Sequence, residues 1–142
     1  MFYFLEDFDI ANYADDTTPY CAGKSAEFVV NNLEQSSAIL FEWLNNNYMK
    51  VNTGKSHLLL SGNSRATATI DNSYIESEDE QVLLGITIDS NLTFENHINS
   101  ICKKASQKLN ALARITPYMN IQKRRAIMKS FVTSQFSYCP LI

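Results

Sequence analysis

A chain of 142 residues with 45% hydrophobic content, four glycines and three prolines is globular in composition and long enough for one ordinary domain. It contains no apolar run near the ~20 residues that cross a bilayer, and its acidic, aromatic start lacks the basic region of a signal peptide. Cys21, Cys102 and Cys139 are too scattered for a disulfide framework or metal cluster, so an intracellular setting is expected, nucleus or cytoplasm, neither secreted nor membrane-bound.

In chain order, the first predicted element is a β-hairpin. Phe8 to Tyr13 and Thr17 to Cys21 form its strands, with Ala14-Asp15-Asp16 at the turn and Pro19 marking an edge. Ser25 then N-caps a long helix, with Glu27 in its first turn. The apolar stripe of that helix runs Ala26, Val30, Leu33, Leu40, Leu44 and Tyr48, widened by Phe28, Phe41 and Trp43, and Thr53-Gly54 ends it. Three extended pieces follow, His57–Ser61, Ala66–Ile70 and Tyr74–Glu76, the last two joined by Asp71-Asn72-Ser73. Glu78-Asp79-Glu80 reads as a solvated loop, and Val82, Leu84, Ile86 and Ile88 alternate as a final strand.

From Asn96 the period becomes helical through Ile98, Ile101, Ala105, Leu109, Leu112 and Ile115. Pro117 stops this helix, and Asn120 caps another that runs through Ile127, Met128, Phe131 and Val132. The predicted class is α+β with a helical appendage. The sequon at Asn91-Leu92-Thr93 is a chance match in an intracellular chain.

Charge divides the chain at the same place as this change of period. Residues 1–93 carry 14 acids against 4 bases, a net of −10; residues 94–142 carry Glu95 against 8 bases, a net of +7. A basic half of this kind suits a polyanionic partner. Its candidate phosphate contacts are Lys103, Lys104, Lys108, Lys123, Arg124, Arg125 and Lys129.

Tyr13-Ala14-Asp15-Asp16 is the motif with most chemistry in it. Adjacent carboxylates on a tight hairpin offer hard oxygen ligands suited to Mg²⁺. An isolated Asp-Asp is ordinary turn chemistry, but here an apolar strand precedes it and Thr17-Thr18 and a long amphipathic helix follow.

Ile10 to Thr17 resembles the motif C hairpin of reverse transcriptases, and the text downstream resembles the jockey-like, non-long-terminal-repeat retrotransposon branch. Asn52-Thr53-Gly54-Lys55-Ser56 is similar to that family's motif D. Leu84-Gly85-Ile86 with Asp89 and Leu92 resembles the strand turn that grips the primer. Leu109 to Ile115, Lys123-Arg124-Arg125 and Ser137 to Ile142 resemble the first thumb helices.

The resemblance implies a partial polymerase palm over residues 1–93 and the start of a helical thumb over 94–142. It implies Asp15 as principal Mg²⁺ ligand and Asp16 as a weaker one, with Tyr13 and Ala14 under the primer terminus. Lys55 would sit near the incoming triphosphate, and Leu84 and Gly85 near the primer. The implied partners are an RNA template, a DNA primer and deoxynucleotide triphosphates.

One departure bears on activity. The family's motif A aspartate precedes motif C by many residues, whereas twelve residues precede Tyr13, and Asp7 and Asp9 are too close to stand in. The 142 residues are therefore expected to be inactive alone. The alternative is a non-enzymatic nucleic-acid-binding remnant that uses the basic helices. Gly54-Lys55-Ser56 imitates a P-loop end, but Met49 stands where the earlier glycine belongs. His57 and His97 read as structural or surface residues, and Trp43 and the phenylalanines as core.

Overall fold

The computed structural model describes residues 9–14, 16–62 and 64–139. The architecture is α+β, and the chain divides into two compact units, Met1–Gln81 and Val82–Ile142.

The first unit opens with β1 (Asp9–Tyr13) and β2 (Asp16–Tyr20), antiparallel, with Tyr13 opposite Asp16 and Asp9 opposite Tyr20. The loop between them is two residues long, so Asp16 begins β2 rather than sitting in the turn as the sequence suggested. Two-residue loops match the twist of paired strands, and Ala14 takes the positive φ of +54° that such turns use. Counting back from the closing pair puts Ile10 and Pro19 at a non-hydrogen-bonded position, where the missing N–H of Pro19 breaks no ladder bond. Phe8 and Asp15 lie outside the described residues.

Ser25 caps α1 (Ala26–Asn46) as predicted, its Oγ accepting from the Phe28 N–H at 3.3 Å. Val30, Ser36, Ser37 and Leu40 form the buried face. The Ser36 hydroxyl is satisfied by donating to the Asn32 carbonyl at 2.7 Å. The helix ends before Thr53-Gly54. Tyr48 adopts φ +58°, its N–H donating to Asn45 O at 3.0 Å, while the Met49 N–H donates to Leu44 O at 2.9 Å. This is the Schellman arrangement with tyrosine where glycine is usual. Tyr48 is 99% exposed, so it does not extend the apolar stripe.

Strands β3 (Leu58–Leu59), β4 (Thr67–Ile70) and β5 (Ser73–Glu78) form a sheet in the order β3-β5-β4. β4 and β5 are a hairpin turning at Asp71-Asn72, both at positive φ, so Ser73 belongs to β5 and not to the turn. β3 runs parallel to β5, with Leu58 opposite Ser77 and Leu59 opposite Glu78. Val30, Leu58, Leu60, Ala68 and Ile75 make the core, with Val29, Leu33, Ala66 and Ile70 packed around it. Ala68 is fully buried between exposed Thr67 and Thr69, the alternation of a sheet with one face covered.

Glu78-Asp79-Glu80 is not a free loop. Glu78 closes β5, Asp79 bends the chain, and Glu80 opens β6 (Glu80–Leu83). Partners distant in sequence hold the acids there: His57 Nδ1 lies 2.8 Å from Glu78, and Arg65 Nη2 reaches both Asp79 oxygens at 2.9 and 2.7 Å.

In the second unit β6 pairs with β7 (Ile86–Asp89) through a turn at Leu84-Gly85, with φ of +49° and +82°. The predicted single strand is thus a hairpin. A two-residue turn leaves the apolar alternation unbroken in sequence, and only Gly85 betrays it. Asp89 accepts from the Thr93 N–H and hydroxyl, both at 3.0 Å, and from the Phe94 N–H at 2.6 Å, tying β7 to the start of α2 (Glu95–Ile115).

The buried residues of α2 are His97, Ala105 and Leu112, while Ile98, Leu109 and Ile115 of the predicted stripe are exposed. His97 accepts from the Thr87 N–H at Nδ1, 3.2 Å, and this bond lets a polar ring occupy the face. Pro117 ends the helix in a 3₁₀ turn, Thr116–Tyr118. Asn120 caps α3 (Ile121–Ile127), accepting from the Lys123 N–H at 3.0 Å. The predicted continuation to Val132 is a widened π-type turn, Met128–Val132, then a 3₁₀ turn, Thr133–Phe136. Of the aromatics predicted as core, Phe41 and Trp43 are half-buried, whereas Phe28, Phe131 and Phe136 are exposed.

Candidate functional site

At the hairpin tip, Tyr13 and Asp16 face each other across the strand pair, and both are exposed. They lie on the opposite side from Ile10 and Pro19, the half-buried pair. The sequence therefore folds so that apolar residues cover one face of the hairpin and its polar tip meets solvent. Ala14, the first residue of the loop, is exposed at positive φ.

An exposed carboxylate such as Asp16 is chemically suited to Mg²⁺ as one oxygen ligand. Asp15 lies outside the described residues. Among the described residues no group of three or more His, Cys, Asp or Glu side chains could hold a metal ion. Among the described residues, Asp16 at the tip thus offers one such oxygen donor.

Lys55 ends the 3₁₀ turn Thr53–Lys55, exposed, with no ion pair linking it to the hairpin among the described residues. Leu84 and Gly85 are the two turn residues between β6 and β7, and the Leu84 carbonyl accepts from the Tyr138 hydroxyl at 2.6 Å.

The basic residues of the second unit differ in availability. Lys103 and Lys104 are exposed on α2, with Lys108 half-buried one turn on. Lys123 and Arg125 are exposed on α3, and Lys129 on the π-type turn. Arg124 is half-buried and donates its Nε–H to the Met119 carbonyl at 2.9 Å, so part of its guanidinium serves the chain's own loop.

The sequence reading missed three side chains that tie the second unit together: Asp89 as a joint, buried His97 as an acceptor, and Tyr138 as a donor across 54 positions. Asp89 had a local signal, Thr93 four residues on and a helix beginning just after it. Tyr138 had none.

Among the described residues no helix is long and apolar enough to cross a membrane. No protein-family profile matches the chain, and no solved structure matches it. Among curated proteins, the chain is similar to the RNA-directed DNA polymerase from mobile element jockey of Drosophila melanogaster, 29% identical over 99 residues. Those residues are 68% of this chain and 11% of that protein. The similarity supports a distant relationship to reverse transcriptases.

Proposed function

We propose that the chain is a segment of an RNA-directed DNA polymerase of a mobile element, with a partial palm over residues 1–93 and the start of a thumb over 94–142. The observation that carries this reading is the Tyr13–Asp16 hairpin, which closes over two residues and leaves Tyr13, Ala14 and Asp16 exposed at its tip. The similarity to the jockey polymerase supports it independently of that geometry.

In this reading Asp15 and Asp16 would hold Mg²⁺, which when bound would supply the Lewis-acid chemistry that activates a 3′-oxygen and neutralises charge on the leaving phosphate. Tyr13 and Ala14 form the floor beneath the primer terminus. Lys55 neutralises or protonates the departing pyrophosphate. Leu84 and Gly85 bear on the primer. Lys103, Lys104, Lys108, Lys123, Arg125 and Lys129 contact the backbone of the RNA template and DNA primer, and Arg124 contributes less because Met119 engages it.

A second reading, a nucleic-acid-binding module without catalysis, is favoured by the +7 charge of residues 94–142 and the exposure of most of their basic side chains.

Primer extension separates the two. The 142-residue polypeptide alone is expected not to copy RNA. Fused behind the fingers and preceding palm strand of a related polymerase, it is expected to support extension with deoxynucleotide triphosphates and Mg²⁺. Asp15→Asn in that fusion should abolish extension and spare primer binding. A fusion that folds and binds primer but never extends it would favour the module. Extension indifferent to Asp15 would remove the hairpin from the chemistry.

A further inference from the structure

The β3-β5-β4 sheet ends at β4, whose outer side meets no further strand among the described residues. The β4–β5 hairpin closes on Ile70 and Ser73, so its hydrogen-bonded pairs are Ile70–Ser73 and Ala68–Ile75. Thr67 and Thr69 therefore turn their main-chain groups outward, away from β5. Their side chains share the exposed face, while Ala68 between them is fully buried. Edges of this kind are usually blunted by a lysine, a proline or a bulge, and the Thr67-Ala68-Thr69-Ile70 strand has none of these. What it has is Glu34. This half-buried residue of α1 reaches the edge, and its carboxylate accepts from the Thr69 N–H at 2.5 Å.

We propose that the β4 edge is a pairing surface for β4 of a second copy of this chain, held closed in the single copy by Glu34. The register favours this occupant. Laid antiparallel about Ala68, two copies of the strand set Thr67 of each opposite Thr69 of the other, so the outward groups of both meet in hydrogen-bonded pairs. The threonine side chains then pair across the junction on the exposed face, and the small Ala68 residues meet on the buried one. Just past the strand ends, the same register sets exposed Arg65, which Asp79 also engages, against Asp71 of the partner subunit, an opposite charge. Such a contact is two-fold and closes on itself. Each Thr69 N–H must leave Glu34 to take its new acceptor, so the carboxylate sets the concentration at which pairing begins. Pairing of this kind requires nothing of the polymerase reading.

The test follows the full chain, Glu34→Ala, Thr67→Pro and the double variant by sedimentation velocity and hydrogen exchange over a concentration series. Alanine is the better helix former, so Glu34→Ala removes the guard and keeps α1. Pairing breaks two charge-assisted hydrogen bonds per dimer in the unaltered chain and none in this variant. The dimer dissociation constant should therefore fall on the order of a hundredfold. The Thr67 amide, which faces the partner strand, should exchange more slowly as concentration rises, and at lower concentration in Glu34→Ala than in its parent.

Thr67→Pro removes an outward N–H and leaves the β4–β5 ladder intact, because Thr67 and Glu76 form a non-hydrogen-bonded pair. Alone or combined with Glu34→Ala, it should stay monomeric. Association that survives Thr67→Pro would place the contact elsewhere and overturn the proposal. So would open-ended aggregates in place of dimers, or a Glu34→Ala chain that sediments no differently from its parent. Exchange in the unaltered chain decides the matter should Glu34→Ala fail to fold, since a Thr67 amide indifferent to concentration there would equally overturn it.

Discussion

His57 Nδ1 lies 2.8 Å from Glu78 Oε1, beside the short parallel rung that joins β3 to β5. The hydrogen bond from His57, with a further one from Gln81, holds the Glu78 carboxyl below the usual carboxylate range. A depressed folded-state pKa gives stability that is fully present above the unfolded value, about 4.3 for Glu, and is lost as pH falls through the folded value. Glu78→Gln should therefore lower the melting temperature near neutrality and make little difference at pH 2–3, where the side chain at position 78 is uncharged in both proteins. Melts followed by circular dichroism at the two pH values check this. A gap between variant and parent that persists in acid would assign the effect to packing.

Tyr48 occupies the left-handed position of the α1 C-terminal motif with its side chain in solvent, so its ring contributes no packing to offset its backbone. Tyr48→Gly should stabilise the chain by about 1 kcal/mol, the cost of a left-handed conformation for a residue bearing a Cβ. Urea unfolding with unchanged m measures it. Destabilisation would mean that Tyr48 makes a contact important to the fold.

Within the Lys123-Arg124-Arg125 run, Lys123 and Arg125 are exposed while Arg124 is engaged by the Met119 carbonyl. Lys123→Gln with Arg125→Gln should reduce affinity for an RNA–DNA hybrid and flatten the salt slope by up to about 1.4–1.8 if each contacts one phosphate. The melting temperature should hardly move, since both side chains are exposed. Arg124→Gln removes the bond to Met119 O and should lower stability by about 1 kcal/mol, with a smaller change in slope. Filter binding across a salt series, paired with thermal melts, resolves them. An Arg124→Gln slope change as large as the double variant's would place Arg124 on phosphate as well.

Local chemistry was legible in the sequence, and long-range pairing was not. The Ser25 and Asn120 caps, the stop at Pro117 and the first hairpin follow from short-range hydrogen bonding and steric limits, so neighbouring residues suffice to find them. The Tyr48 terminus escaped because tyrosine seldom takes the left-handed position, and Thr53-Gly54 offered a more conventional stop. The acidic run escaped because Arg65 and His57 lie 14 and 21 residues from their partners. The burial of α2 shifted toward His97 because a bond from Thr87 lets an imidazole lie where the pattern called for leucine or isoleucine. At the candidate site the hairpin was readable from its β-branched and aromatic flanks and the Asp-containing turn. Which cations are spoken for was not, since Met119 takes Arg124 through a main-chain carbonyl that composition cannot reveal.

The connectivity of the sheets also sets an order of folding events. Each of the hairpins β1–β2, β4–β5 and β6–β7 closes over two residues, so each forms on the ~1–10 μs scale typical of isolated hairpins. β3 has no such advantage. Its two residues pair with Ser77 and Glu78 across 19 positions, and they gain little until α1 has docked on β4 and the Val30–Ala68 core exists to receive Leu58. Substitutions at Leu58 should therefore act mainly on the unfolding rate, and those at Ala68 on the folding rate, placing the parallel rung after the main barrier and the α1–β4 contact on it.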